Sequence, residues 1–264
     1  MAVVAIYDSG VGGLSIYQQV VARCPQHDYL FVSDSQEFPY GIKPEAELLA
    51  RVQTVVTKLD QDCSIDILIM ACNTASTVAL PYLRETFKFQ VIGVVPAIKP
   101  AAELSISKRI GLLATPATIA RPYTDALISE FASDCHVTKV GSSELVLLAE
   151  HKLYGRPLDE SRIATILTPI ISDSEIDVLV LACTHFPLLK TEIGRQLEKA
   201  ACDIQLVDSG KAIANRLVSL CQTLKLEQKK SPTRVVLMTE LSTEPEFVSQ
   251  LEEMGFTELQ HLMI

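Results

Sequence analysis

An apolar strand that ends in cysteine occurs twice in this chain, and the repetition limits the architectures open to it. Ile65-Asp66-Ile67-Leu68-Ile69-Met70-Ala71-Cys72-Asn73-Thr74 returns as Ile176-Asp177-Val178-Leu179-Val180-Leu181-Ala182-Cys183-Thr184-His185, with Ile, Asp, Leu, Ala and Cys at matching places. Each run is apolar and β-branched-rich, the habit of a strand covered on both faces in a parallel sheet. Ligands of open α/β sheets sit at the carboxyl ends of the strands, where both cysteines fall. Two thiols in equivalent places of two half-chains suggest one site approached from two sides.

The remaining elements alternate in the same sense. Strand 3–7 runs into Asp8-Ser9-Gly10-Val11-Gly12-Gly13-Leu14-Ser15 and a helix through Arg23. Strand 29–33, an irregular loop with Pro39-Tyr40-Gly41 and a helix over 45–60 follow. After strand 91–95, two prolines stiffen Val95-Pro96-Ala97-Ile98-Lys99-Pro100, which reads as a domain crossing. The count then restarts: strand 110–114, a helix through Phe131, strand 137–140, helical patterns through Glu150 and over 159–171, and the second cysteine strand. A helix and a final strand over 234–238 return to the first unit. The expected fold is α/β, with two pseudo-symmetric domains of mainly parallel sheets flanked by helices and the active site in the cleft between them. The expected division is 1–97 plus 208–264 for the first domain and 98–207 for the second.

A formal net charge of -9 argues against nucleic acid and anionic membrane surfaces as partners. No apolar run approaches the roughly 20 residues of a membrane span. The chain opens directly on a strand rather than a signal sequence, so a cytoplasmic location is expected. Seven cysteines spread over 264 residues do not form a disulfide framework.

Several chemistries could use these residues. The glycine stretch 10–13 follows a strand and opens a helix, but Ser15 stands where the dinucleotide fingerprint needs glycine, and no lysine completes a phosphate loop. The other reading is a tight turn whose helix amides face an anion such as a carboxylate. Asp8 could cap that helix or act in catalysis. Cys183-Thr184-His185 is not a usual zinc spacing. A cysteine nucleophile with His185 as base leaves the second thiol idle. A redox pair lacks the Cys-x-x-Cys motif, and two buried structural cysteines stay open as an alternative. The duplication is best met by a two-thiol acid–base pair. Inverting a stereocentre through a carbanion requires a proton taken on one face and returned on the other, and a thiol pKa of about 8.5 suits both tasks. Asp8 and His185 are the nearest groups to manage those protons.

These residues carry a resemblance. Asp8 to Ser15, Pro39-Tyr40-Gly41, Ala71-Cys72-Asn73-Thr74-Ala75-Ser76, Gly93 to Pro100, Ala182 to Leu189 and Val207-Asp208-Ser209-Gly210 closely resemble the glutamate racemases of the aspartate/glutamate racemase family, in the right order from about Ala5 to Leu220. Tyr82-Leu83-Arg84-Glu85 and Leu148 to Leu153 resemble its proteobacterial members most. The resemblance implies an isomerase that needs no cofactor and no metal, interconverting L- and D-glutamate for peptidoglycan, hence for cell wall biogenesis and cell shape. It implies Cys72 and Cys183 as the proton donor/acceptors, assisted by Asp8, His185 and Glu150. Asp8, Ser9, Tyr40, Gly41, Asn73, Thr74, Thr118, Thr184 and His185 match the family's substrate contacts. A muramyl precursor is implied as a candidate activator, and the chain as a monomer or homodimer. Racemases of aspartate or hydantoins, and a non-catalytic binding module, are the rival expectations.

Overall fold

The computed structural model describes residues 3–264; Met1 and Ala2, with which the first expected unit begins, lie outside the described residues. The chain starts with β1 (Val3–Asp8), α1 (Leu14–Arg23), β2 (Asp28–Ser33), α2 (Glu45–Asp62), β3 (Ile67–Met70), α3 (Asn73–Thr86) and β4 (Gln90–Gly93). It crosses to α4 (Ile98–Leu104), β5 (Arg109–Ala114), α5 (Pro116–Ala120), α6 (Pro122–Phe131), β6 (His136–Gly141), α7 (Glu144–Leu153), α8 (Glu160–Ile171), β7 (Val178–Leu181), α9 (Lys190–Lys199) and β8 (Gln205–Val207). It ends with α10 (Gly210–Thr223), β9 (Arg234–Met238), α11 (Pro245–Glu253) and β10 (Glu258–His261).

These strands make two sheets, ordered β10-β9-β2-β1-β3-β4 and β6-β5-β7-β8, with parallel pairing throughout the described residues. The second sheet repeats the order of the first four strands. In both, the leading strand is flanked by the second on one side and the third on the other. That reversal opens a crevice at the carboxyl ends of β1 and β3, and of β5 and β7, where such sheets bind ligands. Asp8 closes β1, and Cys72 and Cys183 follow β3 and β7 closely.

Burial on both faces explains the apolar runs. Val4 and Ile6 enter a core with α1 and α10, while Ala5 and Tyr7 enter one with α2 and α3. Ile67, Leu68, Ile69 and Met70 are fully buried, each such side chain contributing roughly 2 kcal/mol. The repeated aspartates secure the opposite ends of these strands. Asp66 accepts the Val3 N–H at 2.8 Å, and Asp177 accepts those of Ile106 and Ser107 at 2.7 and 2.8 Å.

Three details differ from the sequence reading. Lys99 and Pro100 lie in the first turn of α4, where an N–H has no helical partner and proline is tolerated, so the first crossing is shorter than 95–100. The helix expected through Phe131 is two helices, because Pro122 starts a new one. β9 is not the last strand: α11 and the edge strand β10 follow it. Glu258-Leu259-Gln260-His261 has no apolar run to announce a strand. Pro245 at the first helical position and Gly255 at φ +86 after the end do mark α11.

Candidate active site

Both crevices open onto one cavity between the sheets. Asp8, Ser9, Pro39, Tyr40, Gly41, Cys72, Asn73 and Thr74 line it from the first unit, and Thr115, Ser143, Val146, Cys183, Thr184 and His185 from the second. Its volume is about 20 Å³, room for about one water. All but two of the residues singled out from sequence line it. Glu150 sits behind His185, and Thr118 lies one layer back, bonding Thr74 and Thr115 through their hydroxyls at 3.3 and 3.0 Å. Thr115, Ser143 and Val146 were not singled out. Thr115 starts a Thr-Pro helix cap, the one local signal that could have found it.

Cys72 caps α3, its sulfur accepting the Ala75 N–H at 3.5 Å with Ser9 Oγ 3.8 Å away. A helix N-terminus favours thiolate. Here burial, and then the Asp8 carboxylate, outweigh it and push the thiol well above its ordinary value. Asp8 does not cap α1. Its oxygens accept the Ser9 N–H at 2.7 Å and the Thr184 hydroxyl at 2.8 Å across the cleft, and burial raises its pKa.

Cys183 has a different neighbourhood. Its sulfur is 3.8 Å from His185 Nδ1, and His185 Nε2 is 2.7 Å from Glu150 Oε1. Burial alone would lower the imidazole pKa. The hydrogen bonds to Cys183 and Glu150 overcome it and hold the ring well above its usual range. A group so raised stabilises the fold fully below its ordinary pKa of about 6.5, and the contribution fades as pH rises through the raised value. The thermal midpoint should therefore fall with rising pH above neutrality. Glu150→Gln, which removes one raising partner, should flatten that slope; identical slopes in both proteins would contradict the assignment.

The glycine turn is where this pair docks. Val11 N–H donates to Glu150 Oε1 at 2.9 Å, so the anion facing the turn is a protein carboxylate. A Cβ on Gly10 would lie 2.4 Å from Glu150 Oε1, and one on Gly12 2.3 Å from His185 Nδ1. Phe38 covers the imidazole, with ring centroids 5.7 Å apart.

A polar network outside the expected set anchors the Pro39-Tyr40-Gly41 loop. Tyr40 Oη donates to fully buried Asp34 at 2.5 Å and also meets Tyr7 Oη. Arg51 grips Asp34 with two bonds of 2.9 and 2.7 Å, and the Thr239 hydroxyl donates to it at 2.8 Å. Arg51→Met should cost about 3 kcal/mol by leaving a buried carboxylate without its counter-ion. Urea unfolding measures it; a loss under about 1 kcal/mol would place the pair with surface bridges.

Among the described residues, no group of three or more His, Cys, Asp and Glu side chains is placed to hold a metal ion, and no helix is long and apolar enough to cross a membrane.

In this chain two sheets of like strand order each present a thiol to one shared cavity. The model of Asp/Glu/Hydantoin racemases matches residues 11–217, and the chain belongs to that family. Its relatives include the glutamate racemase of Vibrio cholerae, 46% identical over 257 residues, covering 97% of this chain and 95% of that one. The glutamate racemase of Shewanella sp. strain MR-4 is 44% identical over 265 residues, covering 98% and 96%. The crystal structure of Escherichia coli glutamate racemase, in complex with L-glutamate and the activator UDP-MurNAc-Ala, superposes with a TM-score of 0.91 at 41% identity, covering 99% of this chain and 98% of that one.

Proposed function

We propose that this chain interconverts L- and D-glutamate without a cofactor, with Cys72 and Cys183 as the acid–base groups on opposite faces of the substrate α-carbon. One observation carries the reading: two free thiols, from equivalent strand ends of two like-ordered sheets, line one cavity. In the forward direction one thiolate removes the α-proton and the opposite thiol supplies another; the roles exchange for the reverse. Asp8 stands beside Cys72, and His185, held by Glu150, beside Cys183. Asn73 Nδ2 is buried at the cavity wall without a hydrogen-bond partner. Such a donor is costly unless it is used, which suits a substrate carboxylate. Thr74 and Thr184, with the Ser9, Tyr40 and Gly41 segments, complete the binding set, and Thr118 supports the Thr74 hydroxyl from behind.

Function tests directly. Circular dichroism of L- and of D-glutamate with the purified chain, without pyridoxal phosphate, should decay to zero from both sides. Silence from both enantiomers would remove the reading, and turnover of aspartate alone would move it to a sister activity. Product D-glutamate would supply peptidoglycan synthesis in the cytoplasm. By analogy with the Escherichia coli protein, UDP-MurNAc-Ala should raise the rate.

The two units, 1–97 with 208–264 and 98–207, would part to admit substrate, since glutamate is far larger than the cavity. The crossings before α4 and before α10 are the natural hinges. A Cβ on Gly41 would lie 3.1 Å from Thr115 Cβ across the cleft, a few tenths of an ångström inside the roughly 3.5–4.5 Å spacing of a disulfide, so a slight parting admits one. Oxidation of a Gly41→Cys/Thr115→Cys protein should abolish turnover, and dithiothreitol should restore it. Full activity of the cross-linked form would show that no opening is needed.

A further inference from the structure

The closed cavity is poor in positive charge. Asp8, Cys72 and Cys183 line it, His185 is the single lining side chain that can carry a positive charge, and no lysine or arginine is among them. Glutamate brings a net negative charge and each turnover starts from a thiolate, so anions must leave water here, which is costly without compensation. At the Cys183 end the imidazole supplies it. At the Cys72 end the amino end of α3 contributes about half a charge, and Arg121 stands directly behind it. Arg121 joins α5 to α6 in the second unit and reaches across the cleft. Its Nη1 donates to the Thr74 carbonyl at 2.7 Å and to the Thr77 hydroxyl, which itself donates to that carbonyl at 2.8 Å. The guanidinium is half-buried, and among the described residues no carboxylate lies within ion-pairing distance of it. Half-buried Arg51, by contrast, is matched by Asp34. Burial lowers the Arg121 pKa, against the pull of the more distant Glu45 and of a thiolate at Cys72.

We propose that Arg121 is a positioning residue, whose guanidinium supplies the positive charge behind the first turn of α3 and so holds a carboxylate of the substrate at the Asn73–Thr74 end of the cavity. This rests on the racemase reading and deepens it. The guanidinium carries a charge that no protein carboxylate answers at close range; an anion bound at the α3 turn answers it. Two donors wait there: buried Asn73 Nδ2, which has no protein partner, and the Thr74 hydroxyl, which meets those of Thr115 and Thr118 at 3.1 and 3.3 Å. Through the Thr74 carbonyl Arg121 fixes the turn that presents both. It belongs to the second unit and Thr74 to the first, so parting of the units withdraws the charge and closure over an anion returns it. A ligand that interacts better with the closed arrangement shifts the equilibrium toward it, and the carboxylate does so through this cation. Screening by salt is weaker for a partly buried pair than at the surface.

Steady-state kinetics of the full chain in both directions test this with two variants. Arg121→Gln removes the charge while its amide can still donate to the Thr74 carbonyl, and Arg121→Lys keeps the charge. The equilibrium constant of a racemisation is one, so kcat/KM must change equally for the two enantiomers, and the informative quantity is how a loss divides between KM and kcat. In Arg121→Gln, KM should rise about tenfold for both L- and D-glutamate while kcat stays within about threefold of the parent, the mark of lost ground-state binding. Arg121→Lys should keep KM within about threefold of the parent. A parent-like KM in Arg121→Gln overturns the proposal, as does a loss that falls on kcat alone. Equal KM defects in the Gln and Lys variants overturn it too, because the charge would then be irrelevant. If Arg121→Gln does not fold, Arg121→Met takes its place under the same criteria. Absence of any racemisation by the parent would instead reject the underlying function.

Discussion

Cys72→Ala should lose racemisation in both directions, by about 10⁴-fold, the upper range for removal of an acid–base group. Each direction needs one thiol to take a proton and the other to return one, so neither enantiomer is spared. The two sulfurs act as a unit, and replacing both should cost little more than replacing one. What survives should be informative. The remaining Cys183 keeps its contact with His185, and through it with Glu150. It should still exchange the α-hydrogen of the enantiomer it faces, returning a proton to the same side. The family resemblance implies that this enantiomer is L-glutamate, and the expectation is tested on that assignment. In heavy water, residual exchange should then appear in L-glutamate and not in D-glutamate, with Cys183→Ala showing the mirror preference. Equal exchange of both enantiomers by either single variant would contradict the division of labour.

The frame of this molecule was legible because it is written in local patterns. Fully buried strands show as unbroken apolar runs, and the repeat from Ile65 and from Ile176 marks the third strand of each sheet. Asp66 and Asp177 recur for a reason that pattern reading could not supply, since their partners, Val3 and the Ile106–Ser107 turn, are remote in sequence. The same limit hid the Tyr7, Asp34, Tyr40, Arg51 and Thr239 network. Its members come from five separate places, and none is unusual where it stands. β10 escaped notice because an exposed edge strand has no need of an apolar face.

The site was legible in its residue types but not in its connections. Cys72 and Cys183 announce themselves by position, and His185 by adjacency. That Glu150 of α7 reaches back to Val11, fixing His185 against the first unit, is a packing fact with no sequence signature. The glycines are the clearest case. Sequence explains them as a tight turn, whereas Gly10 and Gly12 also give clearance to side chains of the other unit.

That clearance can be tested against a glycine with open space around it. In Gly12→Ala the new methyl would stand 2.3 Å from His185 Nδ1, so the imidazole must move. It is buried, held by Glu150 and covered by Phe38, so moving it away from the turn disturbs the contact of Nδ1 with Cys183. A displacement near 1 Å at a reacting group costs on the order of 10²-fold in rate, so kcat should fall at least that far while the protein stays folded. Gly194 lies inside α9, and a methyl added there would meet no neighbouring group within 4 Å. Gly194→Ala should raise stability by up to about 1 kcal/mol, as alanine does in a helix interior, and leave turnover unchanged. If the glycine stretch served only the turn, Gly12→Ala would lose stability and activity in proportion. A folded Gly12→Ala protein with near-parent kcat would show that His185 is not fixed against this turn.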